Sequence, residues 1–172
     1  MLEYKQLDQG VWHVTKFFDD DTWKTLQQQI LDLSDNDFPD HVPYRLRVSL
    51  LDSPLSDISN TLVNYSSTLK PLLTELTGHT EFNKWACPTI WRDTEKFHSW
   101  WHADDYTRKP TIQIYVNGPE EYGTSFKINN ETVTLPFIPN SGYLMDNQYQ
   151  PVHGMIGTLG ENLVRQSIYL IY

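Results

Sequence analysis

The chain has 172 residues, with 13 basic and 22 acidic side chains, and its formal net charge is −9 at pH 7. The length suits about one domain, while the acidic balance argues against a broad nucleic-acid-binding face and the 13% aromatic content argues against disorder. The single cysteine excludes a disulfide within the chain, and no apolar run is long enough to span a membrane. Because a signal-peptide pattern is also missing, we expect a cytoplasmic (intracellular) protein that folds as a single domain over residues 1–172.

Helical patterns occupy the first half of the chain. Asp21 or Thr22 can cap a first helix, whose apolar positions at helical spacing are Trp23, Leu26, Ile30 and Leu33. Pro54 opens a second pattern, and Pro71 starts a further turn or two that Gly78 can end. We therefore expect residues 1–80 to form mainly helical support.

Short runs rich in β-branched and aromatic residues follow from about residue 82. The candidate strands are Glu81–Arg92, Ser99–Asp104, Thr111–Asn117, Thr124–Ile128, Glu131–Pro136, Gly142–Asp146 and Leu163–Tyr172. Asn129-Asn130 is a plausible two-residue hairpin turn, because asparagine tolerates the left-handed backbone region. Helices followed by several short strands predict an α+β protein built on an antiparallel sandwich or barrel, with its core in residues 82–172.

Two segments contain residue types that bind metal ions. His102 and Asp104 are two residues apart, so on a strand both side chains point to the same face. His153 follows after a strand bounded by glycine. A set of two histidines and one carboxylate, with the other positions of the ion left open, favours a non-haem Fe(II) enzyme that activates oxygen.

Arg165 lies within the apolar terminal strand. Burying an arginine there is costly unless an anion pairs with it, and its two-pronged guanidinium suits a carboxylate. Ser167 shares its strand face. The alternative is an edge-strand arginine that faces water.

The order of these segments resembles a known family. Trp101-His102-Ala103-Asp104, residues 111–117, Gly123-Thr124-Ser125-Phe126, His153-Gly154 and Arg165-x-Ser167 are similar to the 2-oxoglutarate- and Fe(II)-dependent oxygenase superfamily, and most similar to its prolyl-hydroxylase-like branch. The resemblance implies a double-stranded β-helix (jelly-roll) core with flanking N-terminal helices. It departs from collagen-type prolyl hydroxylases, which have lysine where this chain has Arg165.

The resemblance also implies roles for individual residues. His102, Asp104 and His153 would hold Fe(II), and the cosubstrates would be 2-oxoglutarate and O2. Arg165 would pair with the distal carboxylate of 2-oxoglutarate, assisted by a group of hydroxyl side chains: Ser167, Tyr115 and Thr111. The implied reaction is hydroxylation, best assigned to a peptide or protein residue, with release of succinate and CO2. Small metabolites and nucleobases remain alternative substrates, and the sequence does not define an oligomeric state.

Other functions are also compatible with the sequence. His98 and His102 have the i, i+4 spacing of a helical zinc pair, and Cys87 is a candidate nucleophile without local support. A non-catalytic jelly-roll binding module would use its tryptophans to hold a ligand such as a sugar: Trp85, Trp91, Trp100 and Trp101. A positive rim for an acidic or phosphorylated substrate would consist of Arg92, Lys96, Arg108 and Lys109.

Overall fold

The computed structural model describes residues 2–51, 55–82, 88–105, 107 and 110–172. Its two helices are α1 (Asp20–Leu31) and α2 (Ser56–Thr77). The strands described are β1 (Glu3–Asp8), β2 (Val11–Thr15), β3 (Asp40–Val42), β4 (Arg45–Ser49), β5 (Thr89–Asp93), β6 (Thr111–Asn117), β7 (Ser125–Ile128), β8 (Glu131–Thr134), β9 (Ser141–Met145), β10 (His153–Gly154) and β11 (Arg165–Ile171). Within the described ranges, no helix is long and apolar enough to cross a lipid bilayer.

The strands form two antiparallel sheets. The larger sheet has the order β1-β2-β9-β6-β11-β5-β4-β3, and the smaller one has the order β10-β7-β8. The central strands β6 and β11 are almost wholly buried. Neighbours in the large sheet are often distant in sequence, so its side-chain rows combine residues from both halves of the chain.

The helices cover one face of the large sheet. Leu26 and Ile30 of α1 belong to the same buried apolar cluster as Ile112 of β6 and Ile168 of β11. The opposite face meets the small sheet, where Phe126 and Tyr143 pack edge to face. Because strand side chains alternate between faces, the residues between those of the helix-facing cluster point into the space between the two sheets.

The first half of the chain contains more than helical support. β1 to β4 lie in residues 3–49, and β1 and β2 extend the large sheet next to β9. The exposed, polar side chains of β1 show no apolar alternation, so the sequence pattern does not reveal this strand. The prediction of mainly helical support was therefore incomplete.

Helix boundaries also differ from the prediction. Asp19 caps α1, since its side chain accepts a hydrogen bond from the Thr22 backbone N–H, so the helix begins at Asp20. Pro71 lies inside one continuous α2 and does not start a separate turn. Proline removes one backbone hydrogen bond there, but the buried Leu69 and Leu73 on either side hold the helix against the core. Gly78 ends α2 in the left-handed conformation, as predicted.

The strands predicted over residues 111–117, 124–128, 131–136, 142–146 and 163–172 are present to within two residues at each end, and the described end of the one predicted over 81–92 overlaps β5. Residues 83–87 of that last prediction fall outside the described residues. The Asn129-Asn130 turn is confirmed: both residues have positive φ and join β7 to β8. Residues 99–104 do not form a strand; their backbone pairs with β10 as an isolated bridge at His102. Trp100 and Trp101 are exposed, so this segment lacks the alternating burial of a sheet strand. The predictions on Pro54, Trp85, Cys87, Arg108 and Lys109 fall outside the described residues.

Candidate metal centre and anion pocket

His102, Asp104 and His153 lie together beside β10, an edge strand of the small sheet. One potential ligand atom from each residue lies within 4.8 Å of the others. The backbones of His102 and His153 are joined by two hydrogen bonds, of 2.9 and 2.8 Å. This bridge connects the irregular 99–104 segment to β10, and the centres of the two imidazole rings are 4.4 Å apart.

Backbone carbonyls orient both imidazoles. His102 Nδ1 lies 2.6 Å from the Trp100 carbonyl oxygen, and His153 Nδ1 lies 3.0 Å from the Pro151 carbonyl oxygen. A carbonyl only accepts, so each Nδ1 carries a proton, and the lone pair of the neutral ring is then on Nε2. Burial also lowers the pKa of His153, which favours the neutral ring. Neutral imidazoles with free Nε2 atoms are the form that binds a metal ion.

Asp104 is held by two contacts. Its Oδ2 accepts a 3.0 Å hydrogen bond from the Tyr169 hydroxyl, and its backbone oxygen accepts one from the Gln150 amide. Its Oδ1 lies 3.7 Å from His102 Nε2. One carboxylate oxygen is therefore engaged by β11, and the other faces the histidines. The donor set and its orientation fit a divalent metal ion with open coordination positions.

A cavity of about 100 Å³ extends from this triad between the two sheets. Since one water needs roughly 10–15 Å³ by such a measure, the space admits a small molecule of several heavy atoms. Its lining comes from both sheets and includes Gln113, Thr124, Tyr143, Met155 and Trp91. The charged residues in that lining are Arg45, Asp104 and Arg165.

Arg165 is buried in the wall of this cavity. Its Nε and Nη2 donate to Asp93 Oδ2 at 3.0 and 2.7 Å, and its Nη1 donates to the Tyr122 carbonyl at 2.7 Å. The guanidinium therefore faces inward, and the alternative of an edge-strand arginine in water is wrong. Its anionic partner within the chain is Asp93, which is 1% exposed.

A second arginine binds the same carboxylate. Arg45 Nε donates to Asp93 Oδ1 at 2.5 Å, and its Nη2 donates to Oδ2 at 3.1 Å. The sheet register explains this arrangement, since Asp93 lies opposite Arg165 on one side and opposite Arg45 on the other. Side chains in register on adjacent strands point to the same face.

The hydroxyl groups that were predicted to bind 2-oxoglutarate form hydrogen bonds with other residues of the chain. Tyr115 is fully buried, stacks on Phe137, and accepts a hydrogen bond from the Thr124 backbone N–H at 3.0 Å. Burial raises the pKa of the Tyr115 hydroxyl, so it stays protonated. Ser167 accepts from the Gln113 amide. These side chains lie beside the cavity and outside its immediate lining.

Thr111 lies at the other end of β6. Its hydroxyl accepts a 2.9 Å hydrogen bond from the Asn147 amide. Thr111 and Tyr115 share one strand face, as predicted, but four residues of extended strand separate them by about 13 Å. The structure therefore brings Arg165 to the cavity and places Thr111 with Asn147.

The alternative sites have less structural support. His98 and His102 do not lie on a helix, and His98 packs edge-on against Trp100. Arg92 points to the helix-facing side of the sheet, where it donates to Asp35, so it is not part of a rim around the cavity. Trp91 lines the cavity and stacks on Tyr169.

Sequence reasoning missed Arg45, Asp93 and Tyr169. Asp93 directly follows the strand predicted over residues 81–92, and Arg45 lies in the half of the chain that was predicted to be mainly helical. The neighbouring sequence of neither residue indicates a role in the site. In the sequence, Tyr169 is one of several apolar and aromatic residues of the predicted terminal strand. Its position two residues after Ser167, on the same face, is the one available hint.

No protein-family model matches the sequence, and no curated protein matches it either. Solved structures do. A prolyl hydroxylase from Trichoplax adhaerens, in complex with a peptide fragment of the hypoxia inducible factor oxygen degradation domain, superposes with a TM-score of 0.78 at 14% identity, over 95% of this chain and 83% of that chain. A prolyl 4-hydroxylase from Phytophthora capsici gives a TM-score of 0.75 at 17% identity, over 95% of this chain and 58% of that chain.

A third match is SnoN, a non-haem alpha-ketoglutarate-dependent epimerase from nogalamycin biosynthesis. Its TM-score is 0.67 at 13% identity, over 95% of this chain and 77% of that chain. At such identities the likeness concerns the fold, and it confirms the α+β prediction with a jelly-roll core. The chain thus has the double-stranded β-helix fold found in prolyl hydroxylases and other non-haem 2-oxoglutarate-dependent oxygenases.

Proposed function

We propose that this protein is an Fe(II)- and 2-oxoglutarate-dependent dioxygenase, an oxidoreductase that hydroxylates its substrate and releases succinate and CO2. The observation that carries the proposal is the triad of His102, Asp104 and His153, whose potential ligand atoms lie within 4.8 Å of one another at the cavity and whose imidazole Nδ1 atoms face backbone carbonyls. A fold shared with enzymes of this type supports the same conclusion.

The triad would hold the metal through His102 Nε2, His153 Nε2 and Asp104 Oδ1. When bound, Fe(II) supplies the redox chemistry that couples O2 to oxidation of the cosubstrate and the substrate. The protein supplies the ligand geometry: carbonyls fix both imidazoles, and the Tyr169 hydroxyl holds Asp104. Three protein ligands on one side leave positions for 2-oxoglutarate and O2.

Arg165 would bind the distal carboxylate of 2-oxoglutarate. Its guanidinium is nearly inaccessible to bulk water, so a charge-assisted hydrogen bond there is stronger than at the surface. Ser167, Tyr115 and Thr111 would then act indirectly. Ser167 and Tyr115 brace Gln113 and Thr124 in the cavity lining, and Thr111 anchors Asn147 below the site.

A peptide or protein residue is the substrate that we favour. The prolyl hydroxylase with the TM-score of 0.78 is itself in complex with a peptide. Trp100 is 77% exposed and lies two residues before His102, so an apolar surface borders the metal site and can pack against an extended chain. A small-molecule substrate is the alternative, since SnoN is an epimerase from nogalamycin biosynthesis.

An anaerobic titration with Fe(II) and then 2-oxoglutarate tests the proposal. We expect a weak visible metal-to-ligand absorption band in the wild type. His102→Ala and Asp104→Ala should abolish the band, and Arg165→Ala should require more 2-oxoglutarate to produce it. His98→Ala is the matched control, because it removes a histidine from the same segment without touching the triad. A flat spectrum for the wild type at saturating 2-oxoglutarate would favour the non-catalytic binding module.

A further inference from the structure

Arg45 presents hydrogen-bond donors to the same cavity as Arg165. Its guanidinium carbon lies 4.0 Å from the centre of the Trp91 ring and 4.2 Å from that of Phe97, so two aromatic rings fix its plane. Nε and Nη2 bind Asp93. Among the described residues no acceptor is found for Nη1, and Arg45 is part of the cavity lining.

The charges around the cavity are not balanced by the protein alone. Asp93 is the shared carboxylate of two arginines, and it is 1% exposed. One carboxylate neutralises one guanidinium, so the Arg45–Asp93–Arg165 cluster carries one excess positive charge. Burying such a charge is unfavourable unless an anion joins it.

The whole site gives the same result. With neutral histidines, the charged cavity residues are Asp104 and this cluster, which together have no net charge. A divalent metal ion would leave the site with a charge of about plus two. A dicarboxylate with two negative charges balances this value, whereas a 2-oxo acid with one carboxylate does not.

We propose that Arg45 is a second ligand for the distal carboxylate of 2-oxoglutarate, so that this carboxylate is held by two arginines that Asp93 orients. This inference rests on the proposed function, since it assumes that 2-oxoglutarate enters the cavity. It assigns to β4, in the first half of the chain, a direct part in cosubstrate selection. Asp93 is then a positioning residue that turns both guanidinium groups toward the cavity.

The test compares two ligands on Mn(II)-loaded protein by titration calorimetry. 2-Oxopentanoate has the carbon chain of 2-oxoglutarate without its distal carboxylate. For Arg45→Met we expect the Kd of 2-oxoglutarate to rise at least about tenfold, as for loss of a hydrogen bond to a charged group. The Kd of 2-oxopentanoate should change by less than about twofold.

Arg47→Met is the matched control. Arg47 lies on the same strand as Arg45, and its replacement by methionine removes the same charge. Its Nη2, however, pairs with Asp40 near the surface. Neither ligand should lose affinity in this variant. In Arg165→Met some preference for 2-oxoglutarate over 2-oxopentanoate should remain, and the Arg45→Met/Arg165→Met double variant should lose it.

Two results separate this inference from the proposed function. If the wild type binds 2-oxoglutarate and Arg45→Met binds it within about twofold of that affinity, the second ligand is wrong and the proposed function stands. If the metal-loaded wild type does not bind 2-oxoglutarate, both are wrong. Circular dichroism checks folding, and Arg45→Lys, which keeps the charge but loses the fork, takes the same comparison if Arg45→Met does not fold.

Discussion

The Tyr169 hydroxyl donates a 3.0 Å hydrogen bond to Oδ2 of Asp104, across 65 residues of sequence. Tyr169 lies on β11, the same strand that carries Arg165, and it stacks on Trp91 in the cavity wall. One strand therefore contributes to both ends of the candidate site. It orients a proposed metal ligand at one end and supplies a buried cation at the other.

Tyr169→Phe should weaken metal binding without removing a ligand. The variant leaves Asp104 free to rotate and less well oriented, and loss of such an outer partner typically costs about 10–100-fold in affinity. Mn(II) binding followed by electron paramagnetic resonance measures the effect. Tyr172→Phe is the control: it loses a buried hydroxyl from the same end of the chain, bonded to the Ser66 carbonyl. Equal Mn(II) affinities of the wild type and Tyr169→Phe would contradict the assigned role.

Asp93→Asn should destabilise the fold strongly. Removing the shared carboxylate leaves Arg45 and Arg165 buried without their anion, and loss of one partner of a buried pair costs about 3–5 kcal/mol. Urea unfolding measures the free energy change. Asp40→Asn provides the comparison, because the Arg47–Asp40 pair is half-exposed and its loss should cost less than about 1 kcal/mol. Similar unfolding free energies for the two variants would show that the cluster is not essential to stability.

Gly123→Ala should be more harmful than an ordinary loop substitution. A Cβ atom at Gly123 would lie 1.6 Å from the Leu135 carbonyl oxygen, so the backbone must move. The next residue, Thr124, is in the cavity lining, and the Tyr122 carbonyl binds Arg165. We expect a loss of about 2–3 kcal/mol or more in unfolding free energy, together with weaker 2-oxoglutarate binding.

Gly157→Ala is the comparison for this substitution. No atom lies within 4 Å of a Cβ built at Gly157, so its cost comes from the positive φ of 80° alone and should be about 1 kcal/mol. Thermal melts of the two variants rank them directly. A melting temperature for Gly123→Ala above that of Gly157→Ala would overturn the steric argument.

The free energy of unfolding should depend on pH through His13. Its ring is partly buried on β2, and burial, reinforced by the nearby Lys5 charge, lowers the pKa of His13 below its ordinary 6.5. The unfolded chain then binds a proton at a higher pH than the folded chain, so stability falls as the pH drops below 6.5. Burial lowers the pKa of His153 as well and acts in the same direction.

His13→Gln isolates the first contribution. Urea unfolding at several pH values should show a shallower loss of stability below pH 6.5 in the variant than in the wild type. At about pH 8 the His13 ring of the wild type is neutral, so the difference between the two proteins at that pH gives the effect of the substitution itself. Parallel curves for the two proteins would mean that His13 is not the group responsible.

Local patterns predicted the parts of the fold that local forces decide. The Asn129-Asn130 turn followed from the tolerance of asparagine for positive φ, and β6 followed from its apolar, β-branched residues. The exposed strand β1 has no such pattern, because its role is to pair with β2 at the sheet edge. A strand was predicted over residues 99–104 because tryptophan is typical of strands. In the structure Trp100 and Trp101 are exposed, and the segment is not a strand.

The sequence by itself determined the chemical groups of the candidate site: His102, Asp104, His153 and one arginine in an apolar strand. Their types and order already favour a metal centre with an anion site. Only the tertiary structure decided what surrounds them. Asp93 meets Arg165 across 72 residues and Arg45 across 48, because β4, β5 and β11 become neighbours in one sheet. Strand order is set by burial of the whole sheet, so no local pattern predicts which buried charges will share a carboxylate.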